Sequence, residues 1–159
     1  MEKYVVTKRE IEAFQGPAKI HFLNKNARRL NKSLGDLTGL KGIGFHIIEV
    51  QPGCDSTEFH LHHQEDECVY ILDGSAEATI GEQVFPVSAG DFIGYRAGGE
   101  AHTLVNTGDG PLRCIVVGQR LSNDVCDYPR LGKRLFRQQG LPWKLVDTAH
   151  IEEPVAGKK

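Results

Sequence analysis

The 159-residue sequence contains no apolar run long enough to cross a bilayer. Its formal net charge is only −2, and acidic and basic residues are mixed along most of the chain. The composition therefore gives no electrostatic reason to expect nucleic acid or a membrane surface as the main partner. Residues 1–14 are charged throughout and lack the apolar core of a signal peptide, so we expect a cytoplasmic protein.

The sequence also lacks closely spaced cysteines. Its four cysteines are far apart and include no CxxC pair, which favours reduced thiols over disulfides in a chain without an export signal. Cys68 and Cys114 lie in apolar, strand-like runs, so we predict that both are small core residues. Cys54 and Cys126 lie in loop-like surroundings, which leaves their place open.

Residues 43–119 consist of short runs rich in Val, Ile, Phe, Tyr and Thr. Each run is bounded by Gly, Pro, Asn or Asp, a pattern typical of an antiparallel sandwich or barrel, and no helical period interrupts it. Asp73-Gly74 and Ile80-Gly81-Glu82 are candidate hairpin turns, and residues 106–111 form a longer turn of the same kind. The sequence therefore predicts an all-β core.

The regions on either side of this core differ from it. We expect residues 1–42 to form an N-terminal extension that packs on the barrel or on a dimer partner. Within it, IEAF suggests a helical turn, AKIHFL a strand and NKNARRLNKSLGDLTGL a loop. We expect residues 120–159 to form a C-terminal extension of short helices or extended pieces, with the last residues, PVAGKK, disordered. The basic side chains of residues 130–137 are predicted to be a solvated surface; they are Arg130, Lys133, Arg134 and Arg137.

The segment FHLHHQEDE carries the strongest chemical signal. His60 and His62 are two residues apart, so in a strand both side chains project from the same face. Two adjacent imidazoles pack poorly in an apolar core because their nitrogens need polar partners, but they suit a metal site. His63 is out of phase and should point away, and the lone His46 is more simply read as a surface or core histidine.

A carboxylate and a third histidine complete the candidate site. Glu67 begins the next strand, and counting by two places Val69 and Ile71 on its face, so its carboxylate would need a cation inside the barrel. His102 begins a third strand and can project into the same space. Three imidazoles and a carboxylate leave a divalent transition metal with open positions, and Glu65 is the alternative carboxylate.

These residues resemble the two motifs of the cupin superfamily. Gly53, His60-Leu-His62, Glu67 and Gly74 match the first motif, and Gly90, Gly99, His102 and Asn106 match the second. The second motif departs from the usual form, because its spacer is one residue longer and Arg96 or Ala97 stands where proline is expected. The chain as a whole is similar to single-domain bacterial cupins of unassigned function, on residues 56–67 and 127–135.

The resemblance implies a double-stranded β-helix, a small jelly-roll barrel over residues 43–119, with His60, His62, Glu67 and His102 as the metal ligands. It also implies a homodimer. Some relatives are labelled sugar-phosphate isomerase-like, but the fold alone does not settle function.

The metal, which we expect to be Zn, Mn, Fe or Ni, leaves several functions open. One is an enzyme acting on a small oxygen-rich molecule, either an isomerase or epimerase or a dioxygenase. The alternative is a small-ligand or sugar-phosphate binding module without turnover, and a purely structural metal fits least because the ligand set contains no cysteine. Arg96 and Tyr95 are candidate substrate-binding residues; the sequence selects no catalytic base, and Glu58 and Glu49 are the two carboxylates that could serve as one.

Overall fold

The computed structural model describes residues 3–157. Two short helices precede the barrel, α1 (Lys8–Ala13) and α2 (Leu34–Leu37), and neither is long enough to span a membrane. The strands are β1 (Ala18–His21), β2 (Asn24–Ser33), β3 (Ile43–Val50), β4 (Leu61–His62), β5 (Glu67–Asp73), β6 (Ser75–Ile80), β7 (Gln83–Ser88), β8 (Phe92–Tyr95), β9 (His102–Asn106), β10 (Leu112–Gln119), β11 (Asn123–Tyr128), β12 (Lys133–Gln138) and β13 (Lys144–Asp147). Two 3₁₀ turns, Pro129–Leu131 and Thr148–His150, follow β11 and β13.

The strands form three antiparallel sheets. The largest has the order β1-β2-β3-β10-β5-β8, the second β13-β12-β11-β4, and the third β7-β6-β9. Consecutive strands of the barrel repeatedly change sheets, as the jelly-roll topology requires. The prediction of an all-β double-stranded β-helix is confirmed.

The core lies between the largest and the smallest sheet. It contains the inward-facing apolar residues, namely Ile48, Val50, Cys54, Val69, Ile71, Ala76, Ala78, Ile93, Tyr95, Leu104, Leu112 and Cys114. Along β5, Val69 and Ile71 are buried, whereas Tyr70 and Leu72 are exposed. This alternation is that of a strand with one face in the core and the other toward solvent. The same period corrects the prediction for Cys68, which points outward and is only half-buried.

The predicted turns divide into one hairpin and two crossovers. Gly81 joins β6 to β7, which pair directly, so this hairpin is confirmed. The hairpin predicted at Asp73-Gly74 is wrong, because β5 pairs with β8 and β10 while β6 pairs with β7 and β9. Gly74 has a φ of 90°, and an added Cβ would lie 3.1 Å from the Leu112 backbone. Residues 106–111 also lead from one sheet to another.

The N-terminal region contributes strands to the largest sheet. The predicted helical turn and the strand at AKIHFL are present as α1 and β1. The predicted loop at residues 24–40 is wrong, since β2 is ten residues long and pairs with both β1 and β3, and α2 follows it. The strand is hard to recognise because two of its inward-facing residues, Arg29 and Asn31, are polar.

The C-terminal region closes the other side of the barrel. β11 pairs with β4, and Cys126, Tyr128 and Leu135 form a small apolar cluster with Leu23. The extended pieces predicted after residue 120 are confirmed as β11, β12 and β13. Of the predicted disordered tail, residues 154–157 carry no helix or strand, and residues 158–159 lie outside the described residues.

Candidate metal centre

The three candidate histidines converge inside the barrel. His60 lies just before β4 and forms an isolated antiparallel bridge with His102, the first residue of β9. The ring centroid of His60 is 4.7 Å from that of His102 and 4.9 Å from that of His62. Glu67, the first residue of β5, places its Oε1 3.8 Å from Nε2 of His102. Paired strand ends therefore bring the predicted side chains together.

Among the described residues, the potential ligand atoms form three groups, of which two share His60 and the third consists of His62, Glu65 and Asp124. In one, His60, Glu67 and His102 each offer an atom within 4.8 Å of the others, and in the second, His60 and His62 do so with Cys126. His60 therefore lies in the middle of the set. The thiol of Cys126 is an additional candidate ligand that the loop-like surroundings in the sequence gave no reason to expect.

Each histidine is oriented by a hydrogen bond at its Nδ1. The acceptor is the Glu58 carbonyl at 2.8 Å for His60, the Asp124 carboxylate at 2.7 Å for His62, and the Glu100 carbonyl at 3.3 Å for His102. Carbonyl and ionised carboxylate oxygens only accept, so each Nδ1 is the donor. A neutral imidazole protonated at Nδ1 carries its lone pair on Nε2, the arrangement of a metal-ligating histidine with a polar partner behind it.

The charge states and the hydrogen-bond inventory also fit a cation. Burial lowers the pKa of His60 to about 3 and so favours the neutral ring that a metal requires. Burial raises the pKa of Glu67, but positive charge at the His102, His60 and His62 positions outweighs burial and lowers that pKa to about 2; with neutral rings, a bound cation would supply this charge. Nε2 of His102 is buried without a hydrogen-bond partner, a costly state that a bound metal would relieve. The residues therefore fit a divalent transition metal ion.

A second layer of charged groups lies behind His62. Arg137 on β12 donates to Asp124 at 2.8 Å and forms a short hydrogen bond with Glu65. Burial raises the pKa of Asp124, but the hydrogen bonds with His62 and Arg137 outweigh it and hold that pKa at about 2. Glu65 also accepts from the backbone N–H of Leu121 at 2.8 Å. These contacts occupy Glu65 and leave Glu67 as the carboxylate nearest to His102.

His63 points away from this cluster, as predicted. Its Nε2 lies 2.9 Å from Asp127 Oδ2, and its side chain is 38% exposed. Arg134 makes two hydrogen bonds to the same carboxylate, at 2.5 and 2.7 Å. The chain thus contains two histidine–aspartate pairs on opposite faces of one strand, His62–Asp124 inside and His63–Asp127 outside.

The histidines and Glu67 line a cavity of about 440 Å³. Tyr95 lines it too, with its ring stacked on His102 at a centroid distance of 3.5 Å. The Tyr95 hydroxyl is buried without a hydrogen-bond partner, and burial raises the pKa of Tyr95, so the phenol stays neutral. Arg96 is exposed and lines a different cavity of about 340 Å³, which also touches Glu67 and Tyr95.

Several cavity residues come from regions in which the sequence showed no site. Lys19, His21, Arg29 and His46 line it from β1, β2 and β3, and Cys126, Tyr128 and Arg137 from β11 and β12. The prediction that residues 130–137 are a solvated face is wrong for Arg137, which lies inside because it shares a strand face with the buried Leu135. Counting by two from Leu135 is the signal that could have found it.

The fold is an antiparallel jelly-roll barrel with inward-facing histidines and a glutamate that could hold a metal ion. Residues 46–118 match the family model described as the cupin domain. A crystal structure from Acidithiobacillus ferrooxidans, of a protein provisionally named a sugar phosphate isomerase, is 46% identical over 96% of this chain and 97% of that one, with a TM-score of 0.93. The chain belongs to the cupin family.

Two more distant structures share the fold. A sugar phosphate isomerase of the cupin superfamily from Silicibacter pomeroyi is 24% identical over 85% of this chain and 88% of that one, with a TM-score of 0.75. A predicted oxalate decarboxylase from Thermotoga maritima is 26% identical over 59% of this chain and 80% of that one, with a TM-score of 0.50. No curated protein matches this chain.

Proposed function

We propose that this cupin is a metal-dependent isomerase or epimerase of a small, oxygen-rich molecule. His60, His62, Glu67 and His102 would hold one divalent ion, which would be Zn, Mn, Fe or Ni. The observation that carries the proposal is the set of imidazoles whose Nδ1 atoms are all bonded to acceptors behind them, with an ionised carboxylate beside them in one cavity. A cavity of about 440 Å³ suits a sugar-sized ligand.

The isomerase reaction is favoured over dioxygenase chemistry by the relative from Acidithiobacillus ferrooxidans, whose provisional name is sugar phosphate isomerase. When bound, the metal would supply Lewis-acid polarisation of a carbonyl or hydroxyl oxygen. The neutral hydroxyl of Tyr95 has no partner of its own, so it can donate a hydrogen bond to a substrate oxygen beside His102. Arg96 stays a prediction, since its cavity meets the main one only at Glu67 and Tyr95.

A turnover screen tests the proposal. The protein, loaded in turn with each of the four metals, would be incubated in deuterated water with aldose and ketose phosphates and followed by NMR. We expect metal-dependent interconversion, or deuterium at the carbon next to the carbonyl. Tyr95→Phe should keep its metal and lose turnover by about 100-fold, the scale for a donor to a reacting oxygen. Tyr70→Phe, on the exposed face of β5, is the matched control.

Two outcomes would overturn the isomerase. Saturable binding of sugar phosphates with neither exchange nor product under any metal would make the chain a binding module. Oxygen consumption with Fe, coupled to oxidation of a small molecule, would make it a dioxygenase instead.

The homodimer is also a proposal. Tyr70 and Phe92 are cross-strand neighbours on the outer face of the largest sheet, 43% and 66% exposed, and β8 is the last strand of that sheet. Exposed aromatic side chains beside a free edge suit a second copy of the chain. Light scattering should give twice the 17.6 kDa chain mass, and Phe92→Lys should give one chain mass. A monomeric wild-type protein would contradict the dimer.

A further inference from the structure

Two cations face each other on a wall of the cavity that contains the candidate metal centre. Lys19 on β1 and Arg29 on β2 are directly paired in the antiparallel register, and Arg29 is in turn paired with the fully buried Val50 on β3. Paired residues project from the same face of a sheet, so both cationic side chains lie on the inner face. Both line the main cavity.

In the part of the chain that the structure describes, neither cation has a carboxylate within ion-pair distance. Burial lowers the pKa of Arg29, and the charge of Glu67 acts on Arg29 in the opposite direction, raising its pKa. Within residues 3–157, Lys19 and Arg29 form no ion pair, whereas Arg120, Arg134 and Arg137 each pair with a carboxylate. Like charges placed directly opposite on adjacent strands are destabilising. Nη1 of Arg29 donates to the Ser56 carbonyl at 2.7 Å, which fixes the guanidinium and leaves further N–H donors for another acceptor. An unpaired, oriented guanidinium inside a cavity is suited to an anionic ligand.

Two neutral histidines, His21 and His46, also line this cavity. Nδ1 of His21 accepts from the backbone N–H of Leu23 at 3.2 Å, and Nδ1 of His46 lies 3.2 Å from the Asn31 side-chain amide nitrogen. Since an amide NH₂ group and a backbone N–H both donate, each ring carries its proton on Nε2. Burial lowers the pKa of both histidines; the charge of Arg29 lowers that of His21 further, and the charges of Arg120, Lys19 and Arg29 lower that of His46, so the rings stay neutral.

The charge balance indicates what kind of anion fits. The cations of the cavity are Lys19, Arg29 and Arg137, and the carboxylates in or directly behind it are Glu67, Glu65 and Asp124. The two sets cancel, so a divalent metal held by Glu67 would leave two positive charges unmatched. A phosphate monoester carries close to two negative charges at neutral pH.

We propose that Lys19 and Arg29 form a phosphate subsite, so that the ligand is a phosphorylated sugar with its phosphate against the β1–β2 hairpin and its other oxygens toward the histidines. The orientation of the ligand rests on the proposed function, whereas the phosphate site itself requires no turnover. Arg29 is the stronger partner because it is the more buried and already oriented.

Inorganic phosphate is the direct probe. Its affinity would be measured calorimetrically on the full chain, with and without metal, at constant ionic strength. We expect Arg29→Gln to weaken phosphate binding by about 10- to 100-fold, the range for a lost hydrogen bond to a charged group. Lys19→Gln should weaken it by about 2- to 5-fold because that side chain is exposed. Arg28→Gln, an exposed neighbour on the opposite face of β2, should leave it unchanged.

Thermal unfolding gives a second readout that a purely structural role would not produce. Without phosphate, Lys19→Gln should raise the Tm by about 1–3 °C, because it removes the repulsion between facing cations. Phosphate should raise the Tm of the wild-type protein and not that of Arg29→Gln.

Phosphate binding that needs the metal and is unaffected by Arg29→Gln would overturn the subsite, as would a Tm that falls in Lys19→Gln. The results separate the two proposals. Phosphate binding that depends on Arg29, without any isomerase turnover, would support the phosphate subsite and contradict the proposed isomerase. Isomerase turnover with the same KM in the wild-type protein and in Arg29→Gln would support the isomerase and contradict the subsite.

Discussion

Strands β3 to β10, which span residues 43–119 and are called the barrel below, contribute different groups to the cavity than the two flanking regions do. The barrel carries the four candidate metal ligands, which come from two short motifs. The flanks carry the unpaired cations on one wall and the Asp124–Arg137 pair on the other. The candidate ligands are therefore encoded locally, while the carboxylate that orients His62 and several of the charges that line the cavity are encoded far away in the chain.

The distance in sequence has a physical basis in the sheet pairing. His60 and His62 are two residues apart, yet the partner that orients His62 is 62 residues further on, and it arrives through the pairing of β11 with β4. The flanking strands thus add an outer wall to a barrel that already holds its ligands. If this division is correct, mutations of the candidate ligands in the barrel should abolish metal binding. Mutations in the flanks should change the metal affinity without abolishing binding.

The largest expected effect concerns the barrel carboxylate. Glu67→Gln should weaken metal affinity by about 100- to 1,000-fold, since one of four ligands would lose its charge. Glu65→Gln is the matched control: it removes a partner of Arg137 and should change metal affinity by less than about tenfold. Competition with a chromophoric chelator measures both. A larger loss in Glu65→Gln would assign the carboxylate ligand to Glu65.

The next effect tests whether the C-terminal flank folds together with the barrel. Leu135 is buried against Cys126 and Tyr128, so Leu135→Ala should lower the free energy of unfolding by about 2–5 kcal/mol. The single tryptophan, Trp143, lies in this flank beside Arg137 and reports its unfolding by fluorescence. Circular dichroism reports the whole barrel, and the two transitions in urea should coincide. A separate, earlier fluorescence transition would show that the flank is an independent unit.

Removing the flank's orienting carboxylate should have a smaller effect on the metal. Asp124→Asn should weaken metal affinity by about 10- to 100-fold, because His62 would lose the acceptor that fixes its Nδ1–H. The control is Asp127→Asn, which breaks the equivalent pair with His63 on the outer face. Equal metal affinities in the two variants would contradict an orienting role for the flank.

The smallest effect is on acid stability. The pKa of Asp124 is held at about 2 in the folded protein, below the ordinary value of 3.8, so the unfolded chain binds the proton more tightly. This contribution is fully present above about pH 4 and is lost as the pH falls toward 2; it is at most about 2 kcal/mol. Urea unfolding at pH values between 2 and 5 should show a shallower decline in Asp124→Asn. An unchanged slope would argue against this linkage.

The contrast between barrel and flanks also explains what the sequence could predict. The period of two placed His60 and His62 together inside and His63 outside, because alternation is a local property of a strand. The sequence does not predict β2 as a strand, because the inner face of β2 carries the polar residues Arg29 and Asn31. Without apolar residues at alternate positions, the sequence pattern typical of a strand is absent. Asp73-Gly74 has the composition of a hairpin turn, and only the pairing of β5 and β6 with other strands shows that it is a crossover.

The central claim is that His60, His62, Glu67 and His102 hold a metal. The direct measurement is elemental analysis of protein purified without added metal, alongside the His102→Ala and His63→Ala variants. We predict close to one equivalent of a divalent transition metal in the wild-type protein and in His63→Ala, and almost none in His102→Ala. A negligible metal content in the wild-type protein, or an unchanged content in His102→Ala, would contradict the account.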